Sequence, residues 1–132
     1  MNKYKNHTCL IVDNFSTTRR IIKNILIDLG FTCLEAENGV EALAIIQQLT
    51  LNLVIADTNM PEKNGMELLE DIRADNNLKY LPVVLTMIEP LEELISKGEE
   101  MGMNDYIVKP FDVFSLSKLL DKVIEMEGGE VL

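Results

Sequence analysis

The chain has 132 residues, 47% of them hydrophobic and 26% charged, with a formal net charge of −10. That length suits one domain of roughly 100–150 residues, with a core large enough to need no metal or disulfide staple. The acidity argues against nucleic acid as a partner, since phosphate contacts need a basic surface, and no run approaches the ~18 apolar residues of a membrane span.

Thr8–Val12 is a nearly continuous apolar run, predicted as the first strand. A helical pattern follows from Ser16 to Leu29, with Ile21, Ile22, Ile25, Leu26 and Leu29 on one face. Ser16 is its expected N-cap and Gly30 its stop. Thr32–Ala36 then reads as a strand, Val40–Leu49 as a helix, Leu53–Ala56 as a strand and Met66–Arg73 as a helix. Pro82–Met87 is the fourth strand, Leu91–Met101 the fourth helix, closed by Gly102, and Tyr106–Val108 the fifth strand. A last helix starts at Asp112 and runs to Met126, leaving a tail from Glu127 that is expected to fray. The first, third and fifth runs are apolar without alternation, as in strands covered on both faces. Five strand–helix alternations predict an α/β fold, an open parallel sheet with right-handed crossovers. One domain is expected to use residues 1–132, with Met1 as a natural start.

Cys9 and Cys33 sit inside strand-like runs, and without a secretory signal they read as reduced buried thiols of a cytoplasmic protein. His7 is the single histidine and precedes the first strand. A zinc site and a histidine-dependent triad therefore lack their residues.

In such a sheet, ligands bind beyond the carboxyl ends of the strands, so the residues leaving each strand matter most. Strand one leaves through Asp13-Asn14, and strand three through Asp57 into Thr58-Asn59-Met60-Pro61. Strand four leaves near Thr86 and Met87 with Glu89 beyond, and strand five through Lys109-Pro110. Each has a plainer role taken alone: an Asp after a strand forms turns or caps helices, and a Lys there is often solvated. Their convergence on one edge points further, to phosphoryl transfer. Two carboxylates, an amide oxygen and a backbone carbonyl make a hard oxygen site that suits Mg²⁺. A carboxylate can attack phosphorus, and a fixed lysine can neutralise the charge that develops.

The strings Ile11-Val12-Asp13-Asn14-Phe15-Ser16-Thr17-Thr18-Arg19-Arg20, Glu35-Ala36-Glu37-Asn38-Gly39, Asp57-Thr58-Asn59-Met60-Pro61 with Gly65, and Val108-Lys109-Pro110-Phe111 occur in this order. Together they resemble the receiver domain family of two-component response regulators, over nearly the whole chain and nearest to its stand-alone chemotaxis (CheY-type) members. The resemblance implies a flavodoxin-like (βα)5 doubly wound sheet in the order 2-1-3-4-5, with no output domain and no enzyme activity. It implies that Asp57 takes phosphate from a histidine kinase and that Lys109 pairs with the phosphoryl oxygens. Asp13, Asn14, Asp57 and the carbonyl of Asn59 would surround Mg²⁺, and the Lys109-Pro110 bond would be cis. Tyr106 matches the aromatic that moves on activation. An output protein would dock on the helix 4–strand 5–helix 5 face of a monomer or weak dimer. Glu92, Glu93, Glu99 and Glu100 make that helix acidic and favour a basic docking element.

Three residues depart from the family pattern. Asn14 stands where a second acid is usual, which predicts weak Mg²⁺ binding. Counting without gaps from Pro82 to Lys109 puts Met87 and Ile88 where the family has a hydroxyl residue and a small one, with Thr86 one place early. A one-residue offset turns a side chain to the other face of a sheet, so a blunted switch is expected. The rival reading is a degenerate receiver, an interaction module that does not use phosphate. A flavodoxin-like cofactor binder or a phosphatase is disfavoured, because Asn14-Phe15-Ser16-Thr17 replaces a glycine-rich phosphate loop.

Overall fold

Every apolar run of the sequence is a strand in the structure, a computed structural model in which residues 3–128 are described. The elements alternate as β1 (Thr8–Val12), α1 (Ser16–Asp28), β2 (Thr32–Ala36), α2 (Gly39–Gln48), β3 (Leu53–Asp57), α3 (Gly65–Ala74), β4 (Val83–Met87), α4 (Glu92–Glu100), β5 (Asp105–Val108) and α5 (Val113–Gly128). All strand pairs are parallel and the sheet order is β2-β1-β3-β4-β5. Most of the tail expected to fray lies outside the described residues.

The two faces of the sheet carry separate cores. Leu10, Val12, Val54, Ala56, Leu85 and Met87 face α2, α3 and α4. Cys9, Ile11, Ile55, Val84 and Ile107 face α1 and α5, meeting Ile22, Ile25, Leu26, Leu116 and Leu120. Each fully buried large side chain contributes roughly 1.5–3 kcal/mol, so the layers hold the strand ends rigidly. β3 and β4 are buried at every position. The expectation of a doubly covered fifth strand is corrected here: β5 is an edge strand, and only Ile107 is buried.

Local signals set the helix ends. Gly30 and Gly102 have positive φ and terminate α1 and α4, as the sequence predicts. Asn64 and Glu67 form a reciprocal capping box at the start of α3, fixing the exit of the β3–α3 loop. Ser16 is not the cap of α1: it is the first helical residue, Phe15 takes the cap position, and no side chain caps that end. Ile21 also leaves the buried face and is 53% exposed.

Cys9 and Cys33 stand opposite each other on β1 and β2, both as free thiols. Burial pushes Cys33 up to about 11 and Cys9 well above its ordinary value, so neither supplies a thiolate. Among the described residues, no helix is long and apolar enough to cross a membrane.

Candidate functional site

The crossover from β1 leads to β2 on one side, while β3 lies on the other. Strand order therefore reverses between β1 and β3, and Asp13 and Asp57 leave the sheet at that point. Asp57 is the last residue of β3 rather than the first of the loop. Asp13 is 1% exposed and Asp57 4%. Two carboxylates this buried and this close need cationic or hydrogen-bonding partners.

Lys109 supplies the charge. Its Nζ lies 3.1 Å from Oδ2 of Asp13 and 3.1 Å from Oδ2 of Asp57, so one ammonium bridges both acids. The remaining oxygens accept backbone N–H groups: Phe15 donates to Asp13 Oδ1 at 2.9 Å, and Asn59 donates to Asp57 Oδ1 at 3.2 Å. Burial raises the Asp57 pKa above its ordinary value, with Lys109 offsetting part of the rise. Burial by itself would lower Lys109, but Asp57 and Asp13 outweigh it and hold the ammonium above its ordinary value. The lysine stays charged, and the trio carries a net −1 when both acids are ionised.

Neighbouring residues fix this arrangement. Arg19, one turn into α1, donates from Nη1 to the Asp13 carbonyl at 2.5 Å and from Nε to Glu35 at 2.8 Å. Sequence reasoning missed this brace, although an Arg six residues after the strand-end acid was its signal. Gly65 packs so closely under β3 that a Cβ there would lie 2.5 Å from the Asp57 carbonyl oxygen. The Lys109–Pro110 peptide is cis, as the resemblance implied.

Two buried side-chain atoms lack hydrogen-bond partners among the described residues: Asn14 Oδ1 and Thr86 Oγ1. No cluster of three or more His, Cys, Asp or Glu side chains able to hold a metal gathers among those residues, so a cation here must count on neutral oxygens. The orphaned Asn14 oxygen adjoins Asp13 in the chain, and with the two carboxylates it makes an all-oxygen donor set. Those residues fit a hard divalent cation such as Mg²⁺.

The other expected residues fall on different sides of the edge. Asn59 is exposed just beyond Asp57, and Pro110 is exposed beyond Lys109. Glu89 is exposed on the way to α4, its carbonyl accepting the Leu91 N–H at 2.8 Å. β4 runs in unbroken register with β3 and β5, so no bulge shifts its end. Met87 is accordingly 1% exposed on the face it shares with half-buried Tyr106, and Ile88 is 65% exposed. Thr86 pairs in register with Asp57 and with Ile107, on the opposite face.

The family described as the response regulator receiver domain matches residues 9–121. The chain is 47% identical to chemotaxis protein CheY-3 of Vibrio cholerae over 122 residues, 92% of this chain and 94% of that one. Chemotaxis response regulator CheY4 of Vibrio cholerae has a solved structure that superposes with a TM-score of 0.84 at 31% identity, covering 89% of this chain and 98% of that one. The receiver domain of a sensor histidine kinase of Pseudomonas aeruginosa, solved with magnesium coordinated in its active-site cleft, shares the fold with a TM-score of 0.82 at 24% identity, over 89% and 97% of the two chains.

Proposed function

The chain belongs to the response regulator receiver domain family, and we propose that it is a single-domain receiver phosphorylated on Asp57 by a histidine kinase in a chemotaxis-type pathway. The carrying observation is the ammonium of Lys109, 3.1 Å from the carboxylates of both Asp57 and Asp13. One oxygen of Asp57 attacks phosphorus while the bond from phosphorus to the donor nitrogen breaks, and the electron pair leaves with that nitrogen. Lys109 is already charged and lies on the acceptor, so it can neutralise the phosphoryl oxygens without reorganising. Asp13, Asp57, Asn14 Oδ1 and the carbonyl of Asn59 would hold Mg²⁺, weakly because one ligand is neutral. When bound, the ion supplies charge stabilisation to the transferred group and lets two neighbouring carboxylates stay ionised.

Receiver domains of this family act in signalling rather than as enzymes, and the output here is a protein contact. The face of α4, β5 and α5 is its proposed site, on a cytoplasmic monomer or weak dimer without a covalently attached output domain. The first turn of α4 carries Glu92 and Glu93, which favours a basic docking element.

A second reading, a degenerate receiver that binds partners without phosphate, draws on Asn14 and on Met87 filling the slot beside Tyr106. Intact mass spectrometry after incubation with acetyl phosphate and Mg²⁺ separates the two. One phosphate on the wild type and none on Asp57→Ala, compared at initial rates, supports the first reading. An unmodified wild type supports the second.

A further inference from the structure

Thr86 is 1% exposed, and its Oγ1 has no hydrogen-bond partner. Its backbone is fully used: the Thr86 carbonyl accepts the Thr58 N–H at 3.0 Å and the Thr58 hydroxyl at 3.2 Å. A threonine suits a buried strand by shape, but valine has the same shape without an oxygen to bury. An unpartnered buried hydroxyl is a standing cost to the fold. Another state of the protein can relieve it.

The location of Thr86 identifies that state. Thr86 is the registered partner of Asp57 on one side and of Ile107 on the other. Its side chain therefore shares the Asp57 face, the one that carries Ile55, Val84 and Ile107. β4 lies between β3 and β5, and Lys109 reaches Asp57 from the end of β5. The lysine chain must cross the end of β4 to make that bond. In the free protein the Asp57 oxygens are already taken, one by the Asn59 N–H and one by Lys109.

We propose that Thr86 is a phosphoryl-site residue, whose hydroxyl donates to the Asp57 side chain once that side chain carries a phosphoryl group. The inference rests on the reading of Asp57 as phosphoacceptor. Phosphorylation turns one carboxylate oxygen into the bridging oxygen, leaves the other as a carbonyl and brings in three more acceptors. The number of acceptors rises and the number of committed donors does not. Of the two orphaned buried atoms, Asn14 Oδ1 can only accept, so Thr86 supplies the unspent donor. This contact lies on the face away from Tyr106. The grip on the phosphoryl group is thereby separated from the aromatic ring.

The test measures affinity for beryllofluoride with Mg²⁺, and thermal stability without either, in the wild type, Thr86→Val and Thr86→Ser. Valine should weaken the mimic about tenfold, the loss of one hydrogen bond to a charged group. In the unliganded protein it should raise Tm by about 3 °C, because the orphaned oxygen is gone. Serine should keep most of the affinity. A packing role alone would lower stability and affinity together, so that pattern overturns the proposal. Equal affinity for wild type and Thr86→Val also overturns it, while leaving Asp57 as acceptor. A wild type that binds no beryllofluoride and takes no phosphate from acetyl phosphate removes both.

Discussion

Lys109 holds Asp57 from two strands away: its ammonium crosses the end of β4 and lies 3.1 Å from Oδ2 of the acceptor. Both groups are largely buried, and the second carboxylate on the same ammonium, Asp13, leaves the trio one charge short of neutral. The fold carries this excess at the strand ends, and each prediction below follows from it or from the residues around it.

Asp57→Asn should stabilise the metal-free protein at pH 7 by on the order of 1 kcal/mol, the usual scale of a single substitution. Burial raises the folded-state pKa of Asp57, so the protonated form is the one the fold prefers. The corresponding stability is fully present below the unfolded carboxylate value and is lost as pH rises through the raised value. Asn removes that loss, and Lys109 keeps Asp13 as a partner. Urea melts in a chelator should show the variant ahead at pH 7 and the two proteins converging in acid. A variant less stable at pH 7 would mean that the Lys109–Asp57 attraction exceeds the desolvation cost.

Asn14→Asp should tighten Mg²⁺ about tenfold, since a unit charge pair near 4 Å is worth roughly 4 kcal/mol before desolvation cancels most of it. The Asn14 oxygen is buried and without a partner, ready to take a ligand but neutral. Calorimetric titration of both proteins checks this. Equal affinities would show that position 14 does not touch the ion.

Gly65→Ala should cost about 1–3 kcal/mol and slow phosphorylation, because the new Cβ meets main chain rather than a yielding side chain. Its nearest atom would be the Asp57 carbonyl oxygen at 2.5 Å, so relief must move the acceptor's own backbone. The informative readout is the initial rate with acetyl phosphate measured well below the melting temperature. An unchanged rate in a destabilised variant would show that α3 moves and Asp57 does not.

The alternation of apolar runs carried the fold, because strands buried on both faces need long unbroken apolar stretches and the helices between them need stripes. It also carried the strand-end residues Asp13, Asp57 and Lys109, which packing alone does not explain. Edge position was not legible: β5 is as apolar in sequence as β1, and its exposure follows from sheet order. Nor was the α1 cap, since Phe15 holds the cap position while the Asp13 carboxylate takes its N–H. The placing of Thr86 against Asp57 depends on the register between β3 and β4, which is a property of the pairing and not of either strand.

Phosphorylation should move Tyr106 less here than a strand-four hydroxyl on its own face would allow. Met87 ends β4 fully buried in the cluster that includes Tyr106, and a thioether cannot draw towards a phosphoryl group as a hydroxyl donor does. A ligand shifts an equilibrium only through contacts that differ between its two states. Thr86 has the hydroxyl, but its side chain lies on the other face of the strand, away from the ring. The double change Met87→Thr with Ile88→Ala puts a hydroxyl on the Tyr106 side and a small residue after it. Replacing a buried Met by Thr costs about 2 kcal/mol in lost packing, so each protein must be compared with itself, with and without beryllofluoride. Crystal structures or tyrosine-labelled NMR spectra of the four states provide the measurement. The expected result is a mimic-dependent displacement of Tyr106 in the double variant and little in the wild type. An equally large displacement in the wild type would mean that phosphate reaches the ring through a contact other than the end of β4.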